Sequence, residues 1–169
     1  MTRLRVIGID PGPKPGLVCI DFGISTSWWP AVQPRAVQCD PQSALDVFAM
    51  WLGEPGERTV LVGCESFVRS SRAGRLKHAA AASKTEQMIE AFHTMFGAWI
   101  SINNTMRWTT NNAARVKAWA KHERLDAAGL LEVTNGMTHA RDGARHAMFV
   151  AVHYGGAPDP LSRRARSTT

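Results

Sequence analysis

The chain has 169 residues, of which 44% are hydrophobic and 20% charged, and its formal net charge is +6. This length suits one domain with a core of its own, the composition excludes a disordered chain, and the positive charge favours a polyanionic partner such as nucleic acid. We expect neither a secretory leader nor a membrane span, because no apolar run approaches about 18 residues. The three cysteines form no CxxC pair, which argues against a zinc ribbon and for buried, reduced thiols.

The first part of the chain predicts an antiparallel meander of three strands. Residues 3–10 form a nearly continuous apolar run that ends at Asp10, as expected of a strand buried on both faces. The turn PGPKPG leads into a second strand over residues 17–22, and a third strand is expected within residues 35–39.

The rest of the chain alternates helices with strands. Asp40-Pro41 is a typical helix start, and that helix should end near Gly53. The further predicted elements, in order, are a strand over 59–64, a helix over 79–96, a strand over 99–102, a helix from Asn111 or Asn112 to Leu125, and a last helix over 139–154.

This order of elements predicts the fold class and the domain boundaries. Three strands, then a helix, a strand, a helix, a strand and further helices indicate a mixed α/β sheet of five strands with helices on both faces. We expect one domain over residues 1–155 and a basic, flexible tail over residues 156–169, where Gly, Pro, Ser and Arg accumulate.

Acidic side chains stand where two of the predicted strands end. Asp10 follows RVIGI and Glu65 follows VLVGC, so both carboxylates are expected at the rim of the sheet, where open sheets bind ligands. Asp142 and His146, at i and i+4 of the last helix, share one helix face, and His139 and His153 lie near that face.

Carboxylates that converge in this way point to a cation between them. Hard divalent ions such as Mg²⁺ or Mn²⁺ prefer oxygen ligands, and two such ions support in-line cleavage of a phosphodiester bond. A histidine beside them either ligates metal or carries a proton. Each residue also has a structural reading: Asp10 as a turn former, Glu65 and Asp142 as surface residues, and His146 as a core histidine.

Three segments together resemble the RuvC-type Holliday-junction resolvases of the RNase H-like superfamily. They are IGIDPG at residues 7–12, CESFVRS at 64–70 and RDGARHAMFVA at 141–151, and the resemblance runs from residue 4 to about residue 154. It implies an RNase H-like fold, with Asp10, Glu65, Asp142 and His146 as catalytic and metal-binding residues that hold a pair of Mg²⁺ or Mn²⁺ ions.

The same resemblance implies a homodimer that cuts branched DNA in the cytoplasm of a bacterial or phage-infected cell. Many relatives carry two aspartates three residues apart in the last helix, whereas this chain carries Asp142 and His146 four apart, which resembles a phage-type or divergent branch. Met88, Phe92 and Phe96 are expected either at the dimer interface or in the core.

A basic segment after Glu65 is the predicted DNA contact. Arg69, Arg72, Arg75 and Lys77 would meet phosphates beside the metal site, and Phe67 would stack on an unpaired base. The alternatives are a solvated basic surface and a core phenylalanine, and Lys117 and Lys121 are expected on a solvated helix face.

Three other functions stay open at this point. An RNase H acting on RNA–DNA hybrids would use the same metal chemistry, and a catalytically silent junction-binding protein would keep the fold without cleavage. A nucleotide-binding module of the actin and sugar-kinase type shares a similar opening strand and turn, but those chains need two such domains and are much longer.

Overall fold

In the computed structural model of the chain, the described residues are 3–23, 29, 32–53, 58–67, 79–101 and 105–162, without the side chains of 79–81. These residues form one five-stranded sheet with helices on both of its faces. The strands are β1 (Arg3–Asp10), β2 (Gly16–Phe22), β3 (Arg35–Gln38), β4 (Arg58–Ser66) and β5 (Met106–Asn112). The helices are α1 (Pro41–Gly53), α2 (Ala79–Ile100), α3 (Ala113–Trp119), α4 (His122–Ala127), α5 (Leu130–Val133) and α6 (Thr138–His153).

The sheet has the strand order β3-β2-β1-β4-β5, with β1 at its centre. β1 pairs antiparallel with β2, and β2 pairs antiparallel with β3, while β4 runs parallel to both β1 and β5. Because β1 is paired on both edges and covered on both faces, its apolar run is continuous. The predicted mixed sheet with an antiparallel meander at its start is confirmed.

Alternate residues of the strands build two cores, one on each face of the sheet. Ile7 and Ile9 point to the face covered by α1 and α2, whereas Val6 points to the face covered by α6. Met88, Phe92 and Phe96 are 7%, 0% and 3% exposed on the α1–α2 side, so of their two predicted roles the structure supports core packing.

The predicted strand over residues 99–102 is wrong. Helix α2 continues through Ile100, because Trp99 completes its apolar face by packing against the core and against Gly53 of α1. The strand is β5, where Met106 and Trp108 face the α1–α2 core and Arg107 between them is exposed. The helix predicted up to Leu125 is two helices, since Ala120 leaves the helical conformation with ψ at 60°.

The packed chain continues past residue 155, where the sequence placed the start of the tail. Ala157 is buried, the Trp29 indole N–H donates to the carbonyl of Pro158 over 3.1 Å, and Arg124 forms an ion pair with Asp159. These contacts hold the segment up to residue 162 against the α6 side of the sheet. None of the helices described is long and apolar enough to span a membrane.

Candidate active site

Glycines two positions before the strand-end acids let α6 lie directly on the sheet. Residues two apart in a strand share a face, so Gly8 and Asp10, and likewise Gly63 and Glu65, face α6 together. A Cβ atom on Gly8 would stand 2.0 Å from the carbonyl oxygen of Gly143 in α6, which means that the two backbones are in contact. The carboxylates beyond these glycines therefore emerge at the sheet rim, beside the amino-terminal half of the helix.

Helix α6 carries three polar side chains on the face that packs beside these acids. His139, Asp142 and His146 follow at i, i+3 and i+7 and so lie on one helix face. His139 Nδ1 is 2.8 Å from Oδ2 of Asp10, and the backbone N–H of Gly12 donates to Oδ1 of the same carboxylate over 3.3 Å. The sequence placed His139 only near this face, although its spacing of three residues from Asp142 is a signal for the pairing.

The Asp10 side chain is 12% exposed, and the charges of two other acids act on it. Burial raises its pKa above the usual range, the hydrogen bond with His139 lowers the pKa, and the charges of Glu65 and Asp142 raise it further. The negative charges of Glu65 and Asp142 thus act on the carboxyl group of Asp10. Such a cluster is stabilised by a cation placed among its members.

The Glu65 carboxylate faces a buried imidazole. His146 Nε2 is 3.6 Å from Glu65 Oε2, which is longer than a hydrogen bond. His146 is 1% exposed, and neither ring nitrogen has a hydrogen-bond partner among the described residues. The structure thus brings the predicted residue to the site, but behind Glu65 rather than at the surface.

The Asp142 carboxylate is held by two cations. Lys117 Nζ is 3.0 Å from Oδ2, and the Arg145 guanidinium hydrogen-bonds to Oδ1. Beside them lies a pocket of about 370 Å³ whose charged lining is Lys117, Lys121, Arg141, Asp142 and Arg145. Lys117 and Lys121 are exposed as expected, yet they border the site together with arginines of α6, which the sequence did not reveal.

Asn111 is a further polar residue at this rim that the sequence did not single out. It is the register partner of Glu65 across the parallel β4–β5 pair, and it is 7% exposed. Its side-chain amide donates to Thr109 Oγ1 over 3.2 Å. A lone asparagine at a strand end has no sequence signal that separates it from a helix cap, which was its predicted role.

The donor set fits a hard divalent cation in its chemistry, but the side chains are not gathered around one point. Among the described residues, no three His, Cys, Asp or Glu side chains stand close enough together to hold a metal ion. Asp10 is turned to His139, and Asp142 is turned to Lys117 and Arg145. Carboxylate oxygens are nevertheless the ligands that Mg²⁺ and Mn²⁺ prefer.

The predicted DNA-contacting residues are only partly within the described chain. Phe67 directly follows β4 and is 36% exposed, so its ring is accessible beside Glu65. The basic residues predicted to meet phosphates, Arg69, Arg72, Arg75 and Lys77, lie outside the described residues.

The strand order, the antiparallel meander and the acids at the ends of β1 and β4 beside a carboxyl-terminal helix define an RNase H-like arrangement. The fold is similar to that of RuvC from T. thermophilus in complex with a Holliday junction substrate, with a TM-score of 0.56, 17% identity and coverage of 91% of this chain and 98% of that one. A second Thermus thermophilus RuvC structure gives a TM-score of 0.50, 18% identity and coverage of 90% and 98%. The resemblance predicted from the sequence is therefore confirmed in the fold. No protein-family model and no curated protein matches the chain.

Proposed function

We propose that the chain is a metal-dependent endonuclease that hydrolyses phosphodiester bonds in branched DNA. The observation that carries the proposal is the placement of Asp10 and Glu65 at the ends of the neighbouring strands β1 and β4, beside the helix α6 that carries Asp142. The charges of Glu65 and Asp142 act against ionisation of the buried Asp10 carboxyl, and a cation bound beside it would offset that cost.

The three carboxylates would hold Mg²⁺ or Mn²⁺, with two ions in one site as the working hypothesis. Bound divalent cations activate water and stabilise the leaving oxygen of the phosphodiester. Asp10 is fixed for this role by the end of β1 and by the N–H of Gly12, and Asp142 is fixed by the first turns of α6. Side chains that the backbone already holds in place lose little conformational entropy when they bind an ion.

A histidine would complete the site, and the structure favours His139 over the predicted His146. The His139 side chain is 40% exposed and already contacts Asp10, whereas the His146 side chain is 1% exposed. A group that must meet metal, water or a phosphate needs to be accessible, so His139 is better placed to ligate the ion or to carry a proton.

The pocket beside Asp142 would bind the phosphate backbone next to the scissile bond. The pocket is lined by four cations and one carboxylate, which gives it an excess of positive charge; the cations are Lys117, Lys121, Arg141 and Arg145. The predicted segment from Arg69 to Lys77 would extend this surface, and Phe67 would stack on an unpaired base at a branch point. Branched DNA is proposed because the structural neighbour was solved with a Holliday junction substrate.

A homodimer is proposed for the same reason. Cutting two strands of a four-way junction needs two active sites, and the described chain builds one. Since Met88, Phe92 and Phe96 are core residues, the interface would use other side chains. Light scattering that shows only monomers, with and without junction DNA, would remove this part of the proposal.

Cleavage assays on four substrates test the function. A four-way junction, a flap, a linear duplex and an RNA–DNA hybrid are incubated with wild type, Asp10→Asn and Asp126→Asn, in Mg²⁺ and in EDTA. We expect metal-dependent cleavage of branched DNA by wild type and by Asp126→Asn, whose substitution is exposed on α4, and none by Asp10→Asn. Because the fold raises the pKa of Asp10, its ionised form opposes folding at neutral pH, so Asp10→Asn should be no less stable than wild type.

Each other outcome points elsewhere. Cleavage of the hybrid alone would indicate an RNase H. Binding of junctions without cleavage in Mg²⁺ or Mn²⁺ would indicate a silent binding protein, and full activity of Asp10→Asn would refute the catalytic assignment.

A further inference from the structure

His146 is a buried imidazole at the start of the apolar half of α6. It is 1% exposed, its neighbours Ala147 and Met148 are fully buried, and its ring nitrogens have no hydrogen-bond partner among the described residues. An unsatisfied buried polar group costs stability, and an aliphatic side chain would avoid that cost. The polar group that faces the ring is the Glu65 carboxylate, at 3.6 Å from Nε2 to Oε2.

The backbone holds His146 rigidly with respect to Glu65. The carbonyl oxygen of His146 lies 3.1 Å from where a Cβ atom of Gly63 would stand, so α6 rests on β4 at this residue. Gly63 and Glu65 share a face of β4, which places the imidazole directly behind the carboxylate. The Glu65 side chain is 24% exposed, so one side of it meets the ring and the other meets the rim.

We propose that His146 is a positioning residue that orients Glu65 for cation binding. A shift of a few tenths of an ångström closes the 3.6 Å gap to a hydrogen bond, with Nε2–H donating to Oε2. Oε1 then points to the rim, where Asp10 lies. This inference rests on the proposed metal-dependent function and adds a role that differs from that of a metal ligand.

A donor behind a ligating carboxylate stabilises the bound geometry in two ways. It restricts the rotamers of Glu65, and it gives the buried imidazole a hydrogen-bond partner. Partners of this kind typically change metal affinity or activity by roughly 10–100-fold when they are removed.

Two substitutions separate this role from a structural one. His146→Leu keeps an apolar side chain of similar size and removes the donor, whereas His146→Gln keeps an N–H group at nearly the position of Nε2. We expect His146→Leu to lower Mn²⁺ affinity by roughly 10–100-fold with an unchanged or raised melting temperature, and His146→Gln to stay within about threefold of wild type. The measurements are Mn²⁺ titration calorimetry on EDTA-treated protein and thermal unfolding followed by circular dichroism.

Electron paramagnetic resonance of bound Mn²⁺ separates positioning from ligation. We expect any coupling to a histidine nitrogen to persist in His146→Gln and to disappear in His139→Ala. Loss of that coupling in His146→Gln would make His146 a ligand and overturn the inference. So would wild-type Mn²⁺ affinity in His146→Leu, or equal losses in the Leu and Gln variants.

Mn²⁺ binding by wild type and by Asp10→Asn tests the proposed metal site independently of the His146 variants. Mn²⁺ binding by wild type that Asp10→Asn loses supports the site, whatever the His146 variants do. If folded wild type binds no Mn²⁺, the proposed function fails and the positioning role fails with it.

Discussion

Gly8→Ala should push α6 away from the sheet and lower the cleavage activity, although Gly8 itself has no side chain in the site. The new Cβ atom would stand 2.0 Å from the carbonyl oxygen of Gly143 and 2.4 Å from the backbone N of Ala147. Both are backbone atoms, so no side-chain rotation relieves the clash. Restoring ordinary contact requires α6 to move by about 1.4 Å relative to β1.

This displacement sets the expected magnitudes. Overpacking of a well-packed core costs roughly 1–3 kcal/mol, and we expect the upper part of that range, since the two nearest atoms belong to the backbone and the third is the Cβ atom of Ala147. For a chain of this length, that corresponds to a melting temperature lower by roughly 5–10 °C. His139 and Asp142 move with α6 away from Asp10, and a misplacement of about 1 Å can cost on the order of 100-fold in rate.

Thermal unfolding and Mg²⁺-dependent cleavage of a four-way junction check the prediction, with Gly97→Ala as the matched control. Gly97 lies within α2, and a Cβ atom there would meet nothing within 4 Å. The control should gain roughly 0.5–1 kcal/mol of stability from helix propensity and keep its activity. If Gly8→Ala melted and cleaved like wild type, the direct backbone contact between β1 and α6 would be refuted.

Three further perturbations have defined outcomes. Lys117→Ala should raise the Mn²⁺ affinity of the DNA-free protein by up to about fivefold, because an exposed cation no longer competes for Asp142. The same substitution should make the slope of log binding constant against log salt concentration, measured for junction DNA, shallower by about one. Asp21→Ala should cost roughly 2 kcal/mol in urea denaturation, because it removes the carboxylate that Arg5, 1% exposed, contacts through two nitrogens. Burial raises the pKa of Cys19 from 9.0 to about 12, so the unfolded chain loses this proton first and the free energy of unfolding should fall from pH 9 to pH 12, less steeply in Cys19→Val.

Each of these predictions has a control at an exposed or less buried site. Lys84→Ala on α2, on the other face of the sheet, should leave Mn²⁺ affinity unchanged; an equal gain there would indicate a general effect of net charge. Asp126→Ala should leave stability within about 0.5 kcal/mol of wild type, and an equal loss at both aspartates would contradict the role of Arg5. Cys39→Val should leave most of the alkaline fall in place, because Cys39 is only partly buried.

The strands that end in acids were predictable from the sequence because their signals are local. The apolar run before Asp10 and the shorter one before Glu65 each carry a glycine two residues before the acid, and both describe strands buried on two faces. The antiparallel meander followed from the short turn after Asp10. Asp142 and His146 were placed on one helix face because helical spacing is a property of neighbouring residues.

The strand β5 and the break at Ala120 were not predictable in this way. β5 is an edge strand with a polar outer face, so its hydrophobic pattern is weaker than that of the apolar residues at the end of α2, which were predicted as the strand instead. Whether Trp99 belongs to a helix or a strand depends on its packing against Gly53, which lies far from it in the sequence. Distant contacts of this kind override local preference.

By itself, the sequence determined which chemistry the chain carries: three carboxylates and several histidines at strand ends and on one helix face. Only the tertiary structure decided which histidine meets which carboxylate. α6 rests on Gly8, so its first turn reaches Asp10 and puts His139 in contact with it, while His146, two turns further on, is buried behind Glu65. The physical reason is that helical spacing defines which residues share a face, whereas the point where the helix touches the sheet is set by glycines, Gly8 and Gly63, which have no side chain to keep the backbones apart.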